Sequence, residues 1–218
     1  MKPLLVLAAF PMVLMGWASC SHSGTGHAAL PDPRAVDKSV PEYKNPFHPS
    51  TYAHFVARKD YRKTYDVYKD DTLLNRQPKK SRKIFVCLDE QRGQYLVDGL
   101  VAMDFPLSSG VKAYPTKTGD YAVISKKEDH TSNLYGKMYD AEGKCINYNA
   151  ESTDPVPEGG RFDGSPMPYW QRLTNAGLGL HVGKVRRHPV SHGCVRLPRN
   201  VAEILYRQTS IGTPVTIR

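Results

Sequence analysis

The chain lacks internal repeats, lacks any nucleic-acid-binding module signature, and has no apolar run that reaches the ~20 residues needed to cross a bilayer. These absences argue against a repeat array, a dedicated nucleic-acid reader and a retained membrane helix. Acidic residues are also scarce, 21 Asp and Glu against 30 Lys and Arg, which gives a net charge of +9. A basic surface favours an anionic partner. The basic residues are scattered apart from 79–83 and 184–187, so nucleic acid is not expected among the partners. At 218 residues there is length for one ordinary domain and a tail, but not for two full cores.

The tail starts at the N-terminus. Lys2, the uncharged apolar run 3–17 and the small residues Ala18 and Ser19 before Cys20 have the form of an export signal. Small residues directly before a cysteine further suggest a lipoprotein signal, with Cys20 the lipidated first residue of the mature chain. The expected location is therefore the cell envelope, anchored to a membrane through Cys20. Residues 21–45, rich in Ser, Gly, His, Pro and Ala, are expected to form a flexible tether. Residues 46–82 place Tyr52, Phe55, Val56, Tyr61, Tyr65, Val67 and Tyr68 among many charges, with weak helical spacing over 52–55, and are expected to pack as an extension on the domain that follows.

That domain spans 83–218 and has the texture of short strands. Residues 83–89 and 94–100 form an expected hairpin with its turn at Gln91-Arg92-Gly93, and Asp98-Gly99 makes the next turn. Further strands are expected at 101–108, 119–125, 176–181 and 213–218. Residues 126–166 are polar and turn-rich, with short possible strands at 134–139 and 145–148, and read as a long lid-like loop. Asn200 with Glu203 three residues later has the form of a capping box opening a late helix. The fold class is thus mainly β, sandwich-like, with one or more short helices.

The chemistry is concentrated in Gly179-Leu180-His181 and Ser191-His192-Gly193-Cys194-Val195-Arg196. A thiol attacks only as thiolate, so a working Cys194 needs a nearby imidazole, and His181 at the end of an apolar run is the candidate. Gly193 lets the backbone approach a substrate carbonyl, so that the Cys194 amide and its neighbours form an oxyanion hole. No Asp or Asn lies close in sequence to orient His181, which points to the backbone carbonyl of Val182. Arg196 fits either a carboxylate clamp or a structural ion pair. Ser191 fits either an imidazole partner or a cap on the turn. His192 is expected to order the loop and His188 to be solvated. A zinc site built from His181, His188, His192 and Cys194 is the duller alternative, but the spacing matches no common zinc module.

Taken together these motifs resemble the signature of the L,D-transpeptidase catalytic domain (YkuD) family. The resemblance extends over 83–218 and includes Leu107-Ser108-Ser109-Gly110, the segment 114–121, and Met167-Pro168-Tyr169 before the histidine strand. It implies an L,D-transpeptidase-like β-sandwich. It also implies a cysteine-dependent acyl transfer on peptidoglycan stem peptides, with Cys194 and His181 catalytic, Tyr169 among the supporting residues, and no metal or organic cofactor. Water in place of an acceptor amine would make the enzyme an L,D-carboxypeptidase. Another thiol hydrolase of the wall, or a wall-binding lipoprotein without activity, are the remaining alternatives. Of the four cysteines, Cys87 and Cys145 are left over, and the residues leave a disulfide between them open.

Overall fold

The computed structural model describes residues 32–77 and 81–218; the export signal, Cys20 and the first part of the tether lie outside the described residues. A six-stranded sheet is built on the meander β2 (Arg82–Cys87), β3 (Arg92–Val97) and β4 (Leu100–Pro106). To it are added β1 (Tyr68–Lys69) beside β4, β13 (Pro214–Ile217) parallel to β2, and β5 (Gly119–Ala122) at the far edge. A four-stranded sheet runs β12 (Val195–Leu197), β11 (Gly179–Val182), β10 (Trp170–Arg172), β6 (Ser125–Lys127). Both sheets contribute to one core, in which Ile84, Val86, Tyr95 and Phe105 of the first cluster with Leu180, Val195 and Leu197 of the second. The helix α3 (Arg199–Gln208) closes that core with Val201, Ala202 and Leu205, the apolar stripe of a one-faced helix. The fold is mainly β and sandwich-like.

Several local expectations are corrected. The hairpin turn lies at residues 88–91, and Arg92 and Gly93 belong to β3. Gly93 marks a close approach and not a turn, since a Cβ there would stand 2.4 Å from the Phe105 ring. The histidine strand begins at Gly179; residues 174–177 form a turn closed by Gly177 N–H to Thr174 O. Helix α3 has Pro198 at its N-cap with no side-chain cap, so Asn200 lies inside the helix, and Glu203 instead pairs with Arg207 one turn on.

The stretch expected as a lid-like loop is largely sheet. After β6, the strands β7 (Thr131–Tyr139), β8 (Cys145–Glu151) and β9 (Arg161–Pro166) form a three-stranded sheet in the order β8-β7-β9. Most of β8 and β9 is exposed, which removes the two-residue apolar alternation that marks a half-buried strand. Cys145 is a free thiol, so a Cys87–Cys145 disulfide is not formed.

The extension carries α1 (Tyr52–Ala57) and α2 (Asp71–Asn75), the latter capped by the Asp70 side chain. A buried ion pair docks it: Arg92 Nε stands 2.5 Å from Asp104 Oδ1, and the two residues are 1% and 0% exposed. The guanidinium also donates to Thr64 O and Asp66 O, while Tyr52 and Tyr61 hydroxyls each donate to Asp104 Oδ2 at 2.8 Å. From Asp32 on, the stretch expected as free tether is bound as well. Arg34 pairs with Glu90, Lys38 donates to Val56 O, Tyr43 to Ala57 O and Asn45 to His54 O. Among the described residues no helix is long and apolar enough to cross a membrane.

Candidate active site

Strands β11 and β12 pair in parallel, with Leu180 opposite Val195 and His181 opposite Arg196. This register brings the two ends of the connecting loop side by side, and both His181 and Cys194 line one pocket of about 660 Å³. Strand β7 contributes Ser132 and Tyr135 to the same pocket, and β10 contributes Trp170 and Arg172.

His181 is 6% exposed and its Nδ1 lies 2.8 Å from the Val182 carbonyl. A carbonyl only accepts, so Nδ1 carries the proton and Nε2 is the basic nitrogen. Burial pushes the imidazole down from 6.5 to about 4, against the Val182 hydrogen bond, which raises it, and with the positive fields of Arg196 and His130, which lower it further. Burial pushes the Cys194 thiol up, opposed by a backbone hydrogen bond from Gly179 and by Arg196 and Arg172. At neutral pH the resting groups are therefore a neutral imidazole and a neutral thiol. The thiol donates to Gly177 O at 3.3 Å.

The turn that presents Cys194 is held from inside. Ser191 Oγ donates to Cys194 O at 2.5 Å and accepts from Gly193 N–H at 3.2 Å, so Ser191 caps the turn. Gly193 has φ +110°, a conformation that side-chain-bearing residues avoid. Its carbonyl accepts from Thr116 Oγ1 at 2.7 Å, and the same hydroxyl accepts from Gly110 N–H at 2.8 Å. Ser109 O takes the amides of Val190 and Ser191. The segments around Gly110 and Thr116 thus form the bed on which the cysteine turn lies. On the other side of the loop, Ser108 Oγ accepts from the amides of Arg186 and Arg187. Arg187, with φ +56°, reaches into the extension and the hairpin turn, donating to Thr64 O at 2.6 Å and Glu90 O at 2.8 Å.

His192 stacks on Tyr135, ring centroids 4.4 Å apart, and lies 4.7 Å from the Tyr114 ring, which ties the loop to β7. Arg196 lines the pocket and forms no ion pair with a described residue, so the ion-pair alternative falls away. Tyr169 is a support and not a pocket-lining residue. It has φ +56°, packs on Tyr206 at 5.6 Å and does not line the pocket, while its neighbour Trp170 does. The segment 167–169 acts as a support, with Pro168 O accepting the Val182 amide next to His181. His188 is exposed. Among the described residues no three His, Cys, Asp or Glu converge as metal ligands would.

The sequence reading assigned no role to Trp170, His130 or Thr116. Trp170 stands between two imidazoles, 5.9 Å from His181 and 5.0 Å from His130 by ring centroids, and its Nε1 is buried without a partner. The available signal was its position directly after Met167-Pro168-Tyr169.

The model of the YkuD family, described as the L,D-transpeptidase catalytic domain, matches residues 81–217. A curated relative, probable L,D-transpeptidase 3 of Mycobacterium tuberculosis, is 32% identical over 120 residues, which is 52% of this chain and 38% of that protein. An L,D-transpeptidase structure from Mycobacterium smegmatis superposes with a TM-score of 0.49 at 21% identity, covering 63% of this chain and 58% of the other. A structure of the Enterococcus faecium L,D-transpeptidase C442S mutant gives 0.46 at 27% identity, covering 64% and 50%. In each case the chain spans less than two thirds of the relative's own length.

Proposed function

Because the chain belongs to the L,D-transpeptidase catalytic domain family, we propose that it is a peptidoglycan L,D-transpeptidase acting through a thioester on Cys194. The observation that carries this reading is the pocket wall on which the buried His181, oriented by Val182 O, and Cys194 stand together. A tetrapeptide stem enters with its terminal D-alanine in the pocket, where Arg196 supplies the planar fork for a carboxylate. As Cys194 Sγ forms its bond to the carbonyl carbon preceding D-alanine, the thiol proton passes to His181 Nε2. The pair starts neutral, so the proton moves with the attack and not before it. Since Gly193 N–H is taken by Ser191, the Cys194 amide is the loop's donor to the developing oxyanion. The C–N bond then breaks, His181 returns the proton to the leaving amine, and D-alanine departs.

An amine from a neighbouring stem attacks the thioester, gives its proton to His181 and forms the new amide; the thiolate leaves and is reprotonated. We read residues 1–20 as an export signal and residue 20 as the site of a lipid anchor, and propose the cell envelope as the location of this chemistry. Both steps are tested by incubating the protein with purified tetrapeptide stems and separating the products. Crosslinked dimer with release of D-alanine is expected, and neither from Cys194→Ala. Tripeptide as the sole product would assign a carboxypeptidase, and unchanged stems would refute the enzyme. Membrane fractionation of wild type and Cys20→Ser tests the anchor; a wild type that stays soluble would refute it.

A further inference from the structure

Four cations stand around the pocket, and among the described residues that line it there is no Asp or Glu. They come from four separate places: Lys117 precedes β5, Arg172 ends β10, Lys184 follows β11 and Arg196 lies in β12. None is in an ion pair with a described residue, and Arg172 donates only to the carbonyl of Asn175, at 3.3 Å. Glu151, to which the Tyr114 hydroxyl donates at 3.4 Å, does not line the pocket, though its charge acts on the rim residues His192 and Tyr135. A concave site with one sign of charge concentrates ligands of the other.

On the transpeptidase reading the terminal D-alanine carboxylate meets one of these cations, Arg196, and three others remain for further carboxylates. Resting on the transpeptidase reading above, we propose that the pocket selects acyl donors bearing several free carboxylates, and that Lys117, Arg172 and Lys184 set this preference. The substrate class is the unamidated stem. A stem whose diamino-acid carboxyl outside the scissile bond is a carboxamide keeps its shape and its reacting carbonyl but loses one of the charges that the pocket answers.

The test compares two tetrapeptide donors that differ only in that carboxyl, free or amidated, by kcat/KM for D-alanine release. The free-carboxylate donor is expected to be about ten-fold better at low ionic strength, with the ratio shrinking as salt rises, as for a charge-assisted contact. Of Lys117→Gln, Arg172→Gln and Lys184→Gln, the one that removes the cation meeting this carboxyl is expected to abolish the preference by bringing the free donor down to the amidated one, while the others lower kcat/KM for both donors. Equal rates for the two donors would overturn the proposal and leave the transpeptidase reading intact. A free-over-amidated ratio left unchanged in all three variants would also overturn it. Turnover of neither donor would defeat the underlying reading itself.

Discussion

The neutral state of the Cys194 and His181 pair governs what pH does to this protein. With the imidazole held at about 4 and the thiol pushed above its ordinary 9.0, the acylation rate is expected to be nearly flat from about pH 5.5 to 8.5 and to fall only toward pH 4. A rate that climbs ten-fold per pH unit through neutrality would instead identify a pre-formed thiolate as the reactive species. His181→Gln is expected to lower acylation by ~10²–10⁴-fold, the usual cost of losing a general base; single-turnover kinetics with less than a ten-fold loss would contradict the assignment. The same burial couples to stability. Between pH 6.5 and about 4 the unfolded chain binds a proton that folded His181 refuses, so the stability present above pH 6.5 drains as pH falls to about 4. At roughly 1.4 kcal/mol per pH unit the loss is about 3 kcal/mol. His181→Gln should flatten that part of the profile in urea titrations at pH 7 and 4.5, and a variant as pH-sensitive as wild type would exclude His181 as the cause.

At the scale of elements, the loop from β11 to β12 is held from two sides: by Ser108, Ser109 and Thr116 beneath it, and by Arg187 reaching Thr64 and Glu90. Arg187→Ala removes the second hold. We expect kcat for acylation to fall about ten-fold or more while KM stays within about two-fold, because misplacing a nucleophile by a fraction of an ångström is enough. A lower melting temperature with unchanged kcat would reduce Arg187 to a purely structural role. The sequence showed Cys194, His181 and the Val182 carbonyl because their relation is local, carried by adjacent residues or by two short paired strands. It did not show Thr116 or Arg187, whose partners lie 77 and 123 residues away. In the three-stranded sheet β8-β7-β9 the expected short strands at 134–139 and 145–148 fall within β7 and β8, but β9 and the sheet itself were missed, because largely exposed strands carry little apolar rhythm to read. Trp170 was missed because a motif gives positions but not which side chain turns inward.

At the scale of the whole molecule, the extension is joined to the sandwich by the Arg92–Asp104 pair and the tyrosines around it. Asp104→Ala leaves a buried guanidinium without its counter-charge and is expected to cost about 3–5 kcal/mol, with extension and sandwich melting in one transition. A loss below about 1 kcal/mol in denaturant unfolding would show that the pair does not hold them together. The packing of the extension was expected from its aromatic residues, but the ion pair that holds it was not legible in the sequence, where Arg92 was assigned to a turn and Asp104 to an ordinary strand. The main body was, since one sandwich core needs only short strands of fitting composition. The central claim is covalent, and intact-protein mass spectrometry tests it most directly. Brief incubation of the protein with tetrapeptide donor, quenched in acid, should give one added mass equal to the tripeptide acyl group, located on the Cys194 peptide, with one D-alanine released per adduct. Cys194→Ala should give neither. An adduct on another residue, or D-alanine released by Cys194→Ala, would contradict the account.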